Sequence, residues 1–214
     1  LVYELPIPTT STLGTTGRPA YSFDNSALYS GETSFDRVAY YLELLPAGST
    51  TPRWVCVSLD AFTREAGKIG VPAAATGASF QQPVANLNVA SSEPCVTTGT
   101  GIATGNIEFW GYNYSQANAA LVPNASGTGY DVGDAISTGG TYGSMQIHNH
   151  SVNGTAATQT LFAYNRWGYG GTSDVGIGNA PGADTDWTFA QNAATYDRRT
   201  LHDYARKQIM PAVV

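Results

Sequence analysis

Turn chemistry recurs roughly every 8 to 14 residues along this chain, and that rhythm limits what it can fold into more than any other feature. Gly99-Thr100-Gly101, Pro123-Asn124-Ala125-Ser126-Gly127, Ser137-Thr138-Gly139-Gly140 and Asn179-Ala180-Pro181-Gly182 all read as turns or loops. Gly and Asn tolerate positive φ there, and Pro presets φ. The intervening segments predict strands over residues 2–7, 35–45, 53–62, 84–91, 105–114, 143–151, 159–168, 174–178, 187–192 and 200–206. The expected fold class is all-β, an antiparallel, jelly-roll-like β-sandwich of about ten strands. Helical periodicity is poor. Residues 60–68 predict one short helical turn; 197–208 also fits a 3.6-residue period through Leu201, Tyr204 and Ala205, and is assigned as a strand.

A chain of 214 residues suits one large sandwich. Neither an internal repeat nor a break in composition divides it, so a single domain over 1–214 is expected. Residues 1–20 form its N-terminal strand or arm and 200–214 its C-terminal strand or tail. Charged residues make up 12%, about half the usual share. The 42% hydrophobic and 11% aromatic content is enough for a core. A net charge of −6 opposes nucleic acid, which needs a basic face. No apolar run reaches the ~20 residues of a membrane-spanning helix, and no membrane span is expected. The first residue, Leu1, is what a processed or trimmed chain shows. Together with the neutral, hydroxyl- and Tyr-rich composition, this predicts a secreted or cell-surface protein.

Cys56 and Cys95 fit no zinc spacing, and no basic residue beside either would activate a thiol. A structural disulfide between them is expected, with two inert buried thiols as the alternative. Sequons at Asn113, Asn124, Asn149 and Asn153 are a weak signal in so Asn-, Ser- and Thr-rich a chain.

Alternation within the strands points to a site. Ile107 and Phe109 alternate with Glu108, Trp110 and Tyr112; Met145 and Ile147 with Gln146, His148 and His150; Leu161 and Ala163 with Phe162, Tyr164 and Arg166. On one sheet these would give a non-core face bearing Glu108, Trp110, Tyr112, Gln146, His148, His150, Tyr164 and Arg166. Aromatic rings stack on the C–H faces of sugars, and planar polar groups bond paired hydroxyls, so the expected ligand is a glycan. The plainer alternative is that the rings lie under a loop or in a protein contact.

Gln146-Ile147-His148 with Tyr164 and Arg166 also matches part of a jelly-roll polysaccharide lyase constellation, where Gln and Arg neutralise a uronate and His or Tyr moves the proton. The companion Arg-rich and Tyr-Phe-Lys strands of such lyases are missing. His148 and His150 sit at ligand spacing but lack a third partner in sequence. Asp131 with Asp134 and Asp184 with Asp186 lie in acidic loops of the kind that hold a structural Ca²⁺, or act as solvated turn residues. Esterase, P-loop, dinucleotide and zinc-protease motifs are absent. Glu43, Glu108 and Asp60 are strand-borne acids, and no spacing pairs any two for glycoside hydrolysis. No catalytic residue is assigned, and a non-enzyme is expected.

Longer segments carry a resemblance. They are Phe35–Leu44, Thr104–Trp110, Tyr142–His150, Asp174–Asn179 and Asp186–Ala193. Together, across most of the chain from about residue 21 to 199, they resemble an uncharacterised β-sandwich module of large secreted bacterial proteins, often beside sialate O-acetylesterase-type, sulfatase-type or other glycan-acting domains. The resemblance implies an extracellular accessory domain working near polysaccharide; residues 201–214 depart from its usual closing strand.

The leading expectation is therefore a non-catalytic carbohydrate-binding or accessory module. The alternative is a self-assembling structural protein, a homo-oligomer or filament subunit, whose apolar tail 209–214 docks on a neighbouring copy and completes its sheet edge. The lyase stands third.

Overall fold

Strict alternation in two neighbouring strands sets the frame. In β3 (Phe35–Pro46), Val38, Tyr40, Leu42 and Leu44 are buried, and β4 (Arg53–Asp60) repeats the pattern with Val55, Val57 and Leu59. Side chains of a strand point alternately to its two faces, so each strand contributes one apolar face to a core and one mixed face outward. Ser49 N–H donates to the Pro46 carbonyl at 3.0 Å and closes the turn between them, with Gly48 at φ 71°. Glycine adopts that left-handed backbone at no steric cost.

The computed structural model describes residues 1–7, 21–29, 35–70, 80–94, 96–110, 144–149, 160–165, 173–178 and 196–207. Among them the chain is all-β, with 3-10 turns at Ser26–Tyr29 and Ala66–Lys68 and no α-helix. The remaining strands are β1 (Tyr3–Pro6), β2 (Phe23–Asp24), β5 (Phe80–Val84), β6 (Leu87–Ser91), β7 (Gly99–Ile102), β8 (Gly105–Trp110), β9 (Ser144–Asn149), β10 (Thr160–Asn165), β11 (Ser173–Gly178) and β12 (Tyr196–Lys207). A seven-stranded antiparallel sheet runs β2-β1-β12-β3-β4-β6-β7, and a five-stranded sheet runs β11-β10-β9-β8-β5. Within the second sheet only β10 and β11 pair in parallel.

Several elements differ from expectation for local reasons. The single strand expected over 84–91 is two strands in different sheets, because Asn86 takes φ 56°, a conformation Asn tolerates better than most residues. Its amide donates to Asp60 Oδ1 at 3.1 Å, and its carbonyl accepts from Arg37 at 2.7 Å. Gly99-Thr100-Gly101 forms part of β7 rather than a turn, with the Gly101 N–H held by Asn88 Oδ1 at 2.8 Å. β12 is twelve residues long and lies between β1 and β3, so the C-terminal strand is interior to its sheet. The strand expected over 187–192 lies outside the described residues.

One buried cluster joins the sheets. Leu5, Leu42, Leu44, Val55, Val57, Leu59, Leu87 and Leu201 come from the seven-stranded sheet, and Val84, Ile107 and Ile147 from the five-stranded one. Each such side chain contributes about 1.5–3 kcal/mol by leaving water. No helix among the described residues is long and apolar enough to cross a membrane.

Candidate functional site

The register of the large sheet decides what its outer face carries. His202 of β12 lies opposite both Tyr41 of β3 and Glu4 of β1, and Tyr41 lies opposite Cys56 of β4. One row across four strands therefore reads Glu4, His202, Tyr41, Cys56. The next row carries Thr200, Glu43 and Trp54, and on the other side Tyr204 stands opposite Ala39. All are out of phase with buried Leu201, Leu42 and Val55, so they share the face turned away from the core.

Four rings form a continuous run on this face. Trp54 and Tyr41 have centroids 6.0 Å apart, Tyr41 and His202 5.7 Å, and His202 and Tyr204 6.3 Å, with interplanar angles of 30° to 40°. Carboxylates flank the run. Glu43 accepts from Arg198 at 2.7 Å and from the Tyr41 hydroxyl at a long 3.4 Å. Glu4 accepts from the Ser22 hydroxyl at 2.7 Å and stands 3.6 Å from His202 Nδ1, beyond hydrogen-bond reach. That Nδ1 is buried and, among the described residues, has no hydrogen-bond partner.

Burial shapes the titration of this face. It pushes the Tyr41 phenol up, with Glu43 adding to the effect, and it pushes up Tyr204 and the Cys56 thiol. It lowers His202 against the opposing pull of Glu4, so the imidazole is neutral at pH 7. Among the described residues, the face presents uncharged rings with carboxylate acceptors beside them, and Arg198 is paired with Glu43. Carboxylates and ring faces of this kind can meet the hydroxyls and C–H faces of a sugar.

Of the residues singled out from sequence for the glycan face, the described ones lie on β8, β9 and β10. β8 and β9 place Glu108 opposite Gln146, Asn106 opposite His148 and Trp110 opposite Ser144, so Glu108, Trp110, Gln146 and His148 keep one strand phase. Tyr164 does not share it. The β9–β10 register, irregular between Thr160 and Phe162, sets Ala163 opposite Gln146 and Tyr164 opposite Met145, in step with Phe109. Alternation within single strands fixes phase but not the register between them. Tyr112, His150, Arg166, Asp131, Asp134, Asp184, Asp186 and Cys95 lie outside the described residues. Cys56 is a half-buried free thiol. Asn149, within one of the sequons, is buried at 2% exposure, so a glycan on it is incompatible with the folded strand. Among the described residues no three His, Cys, Asp or Glu side chains gather as a metal site.

Tyr41, Trp54, His202 and Tyr204 are not among the residues the alternation singles out in the sequence. The alternations Tyr41/Glu43 in β3 and Trp54/Cys56/Ser58 in β4 were visible signals, and Glu4 and Asp203 are further strand-borne acids. No known protein family matches the chain, no curated protein is similar to it in sequence, and no solved structure is similar to it in fold.

Proposed function

We propose that this chain is a non-catalytic, extracellular carbohydrate-binding module, a β-sandwich that holds an uncharged glycan on the outer face of its seven-stranded sheet. The run of rings Trp54, Tyr41, His202 and Tyr204, bordered by Glu4, Glu43 and Arg198, carries this reading. Ring faces meet the C–H faces of successive sugars while the carboxylates accept from their hydroxyls. Among the described residues its carboxylates are engaged by Arg198 and Ser22, which favours holding a sugar chain over cutting it.

The test is electrophoresis in gels containing soluble uncharged polysaccharides such as xylan, glucomannan or β-glucan. At least one should retard the wild-type protein, and Tyr41→Ala should weaken that binding roughly tenfold, the scale of one lost stacking contact. A wild-type protein retarded by none of a broad panel, or a Tyr41→Ala protein retarded equally, contradicts the proposal.

A further inference from the structure

His202 belongs both to the ring run and to the charges that border it. Its ring lies between those of Tyr41 and Tyr204, at 5.7 and 6.3 Å, and its side chain is 19% exposed. Its buried Nδ1 stands 3.6 Å from Glu4 Oε2 and, among the described residues, has no hydrogen-bond partner. The other Glu4 oxygen accepts from the Ser22 hydroxyl at 2.7 Å, which fixes the carboxylate beside the imidazole. Among the described residues, the titratable and charged groups facing the imidazole are Glu4 from β1, Tyr41 and Glu43 from β3, and Tyr204 and Arg198 along β12. Cys56 of β4 follows beyond Tyr41, and Arg206 beyond Tyr204 is held by Asp36 at 2.8 Å.

A proton on His202 changes two things at once. It makes both ring nitrogens donors, and a movement of less than about 1 Å then brings Glu4 into a charge-assisted bond of ~2.8 Å with Nδ1. Glu4 so engaged no longer accepts from a sugar hydroxyl. The proton also puts positive charge on a ring whose electron-rich face meets sugar C–H groups, and a sugar laid over it takes that charge out of water. Both changes weaken binding. Burial holds the imidazole below its ordinary value, while Glu4 pulls the other way; Glu43 and Arg198, paired at 2.7 Å, oppose one another. Burial pushes Tyr41, Tyr204 and Cys56 up, so these three keep their protons in acid.

We propose that the ring face releases its glycan in acid, with His202 taking the proton and Glu4 closing on it. This rests on the ring face being the glycan site. The test is calorimetric titration of the full chain at pH 7.5 and pH 5.0 with an uncharged polysaccharide, xylan, glucomannan or β-glucan, that retards it in a gel. Wild-type affinity should be at least about threefold lower at pH 5.0, and should fall no faster than about tenfold per pH unit, the limit for one proton. His202→Phe keeps a ring that takes no proton, so its affinity, whatever its size, should be the same at both pH values. A second measurement needs no glycan. The imidazole C–H signal that His202→Phe lacks, followed by NMR, should titrate at a lower pH in Glu4→Gln than in the wild type, because the pull of the carboxylate is gone. Equal wild-type affinity at both pH values, an equal fall in His202→Phe, or an unmoved titration in Glu4→Gln overturns the proposal. A wild type that binds no uncharged polysaccharide at either pH overturns the ring-face reading and the release with it, whereas binding that ignores pH overturns the release alone.

Discussion

Among the described residues, both carboxyl oxygens of Asp203 are buried without a hydrogen-bond partner, in a row between Tyr3 and Tyr40 of the large sheet. Tyr40 offers no help, since its hydroxyl donates to the Ile69 carbonyl at 2.7 Å. Burial pushes the Asp203 carboxyl well above its ordinary value, so the folded protein keeps it protonated while the unfolded chain ionises near pH 4. Between those two values the folded state binds the extra proton. Stability from this residue is therefore greatest below about pH 4 and falls as pH rises toward the folded value. The expected result is a urea midpoint that declines with pH above about 4 in the wild type and declines less steeply in Asp203→Asn; equal slopes would refute this account. Glu93 works in the opposite sense. Arg53 holds it below its ordinary value, so its contribution is present at neutral pH and lost as pH falls through the acid range. Gly70 tests packing at the same end of the core. A Cβ there would stand 2.6 Å from the Tyr21 hydroxyl and 2.9 Å from the Tyr3 ring, so Gly70→Ala should cost about 1–3 kcal/mol in chemical denaturation.

β3 and β4 were the most legible elements because each shows both of its faces in its own residues: Tyr40, Leu42, Leu44 and Val55, Val57, Leu59 inside, Tyr41, Glu43 and Trp54, Cys56 outside. β12 was half legible. Arg199 and Asp203 sit at buried positions and interrupt its apolar alternation, and an irregularity between Tyr196 and Arg198 shifts the phase at its start. β2 and β7, two and four residues long, are too short to show a period. The ring face was illegible for a different reason. His202 meets Tyr41 only because β12 inserts between β1 and β3, a pairing 161 residues apart that no local pattern carries. The same insertion makes β12 the strand on which the sheet depends. Leu201→Ala, emptying a fully buried site between β1 and β3, should destabilise by about 2–5 kcal/mol, whereas Tyr204→Ala on the outer face should cost far less. Comparable losses in the two denaturation curves would argue against this division of faces.

Among the described residues, the two sheets contribute to one core while four ion pairs stand toward the ends of the large sheet: Asp36–Arg206 and Arg37–Asp60 at one end, Arg53–Glu93 and Glu43–Arg198 toward the other. Between them lies the stretch of uncharged rings. We propose the outer face of the seven-stranded sheet as the glycan platform, whereas Trp110 and Gln146, expected from sequence, stand on the five-stranded sheet. The most direct test compares Trp54→Ala with Trp110→Ala in calorimetric titrations against an uncharged polysaccharide that the wild-type protein binds. The account predicts that Trp54→Ala loses at least about tenfold in affinity while Trp110→Ala binds as the wild type does; the reverse order, or equal binding by both variants, would contradict it.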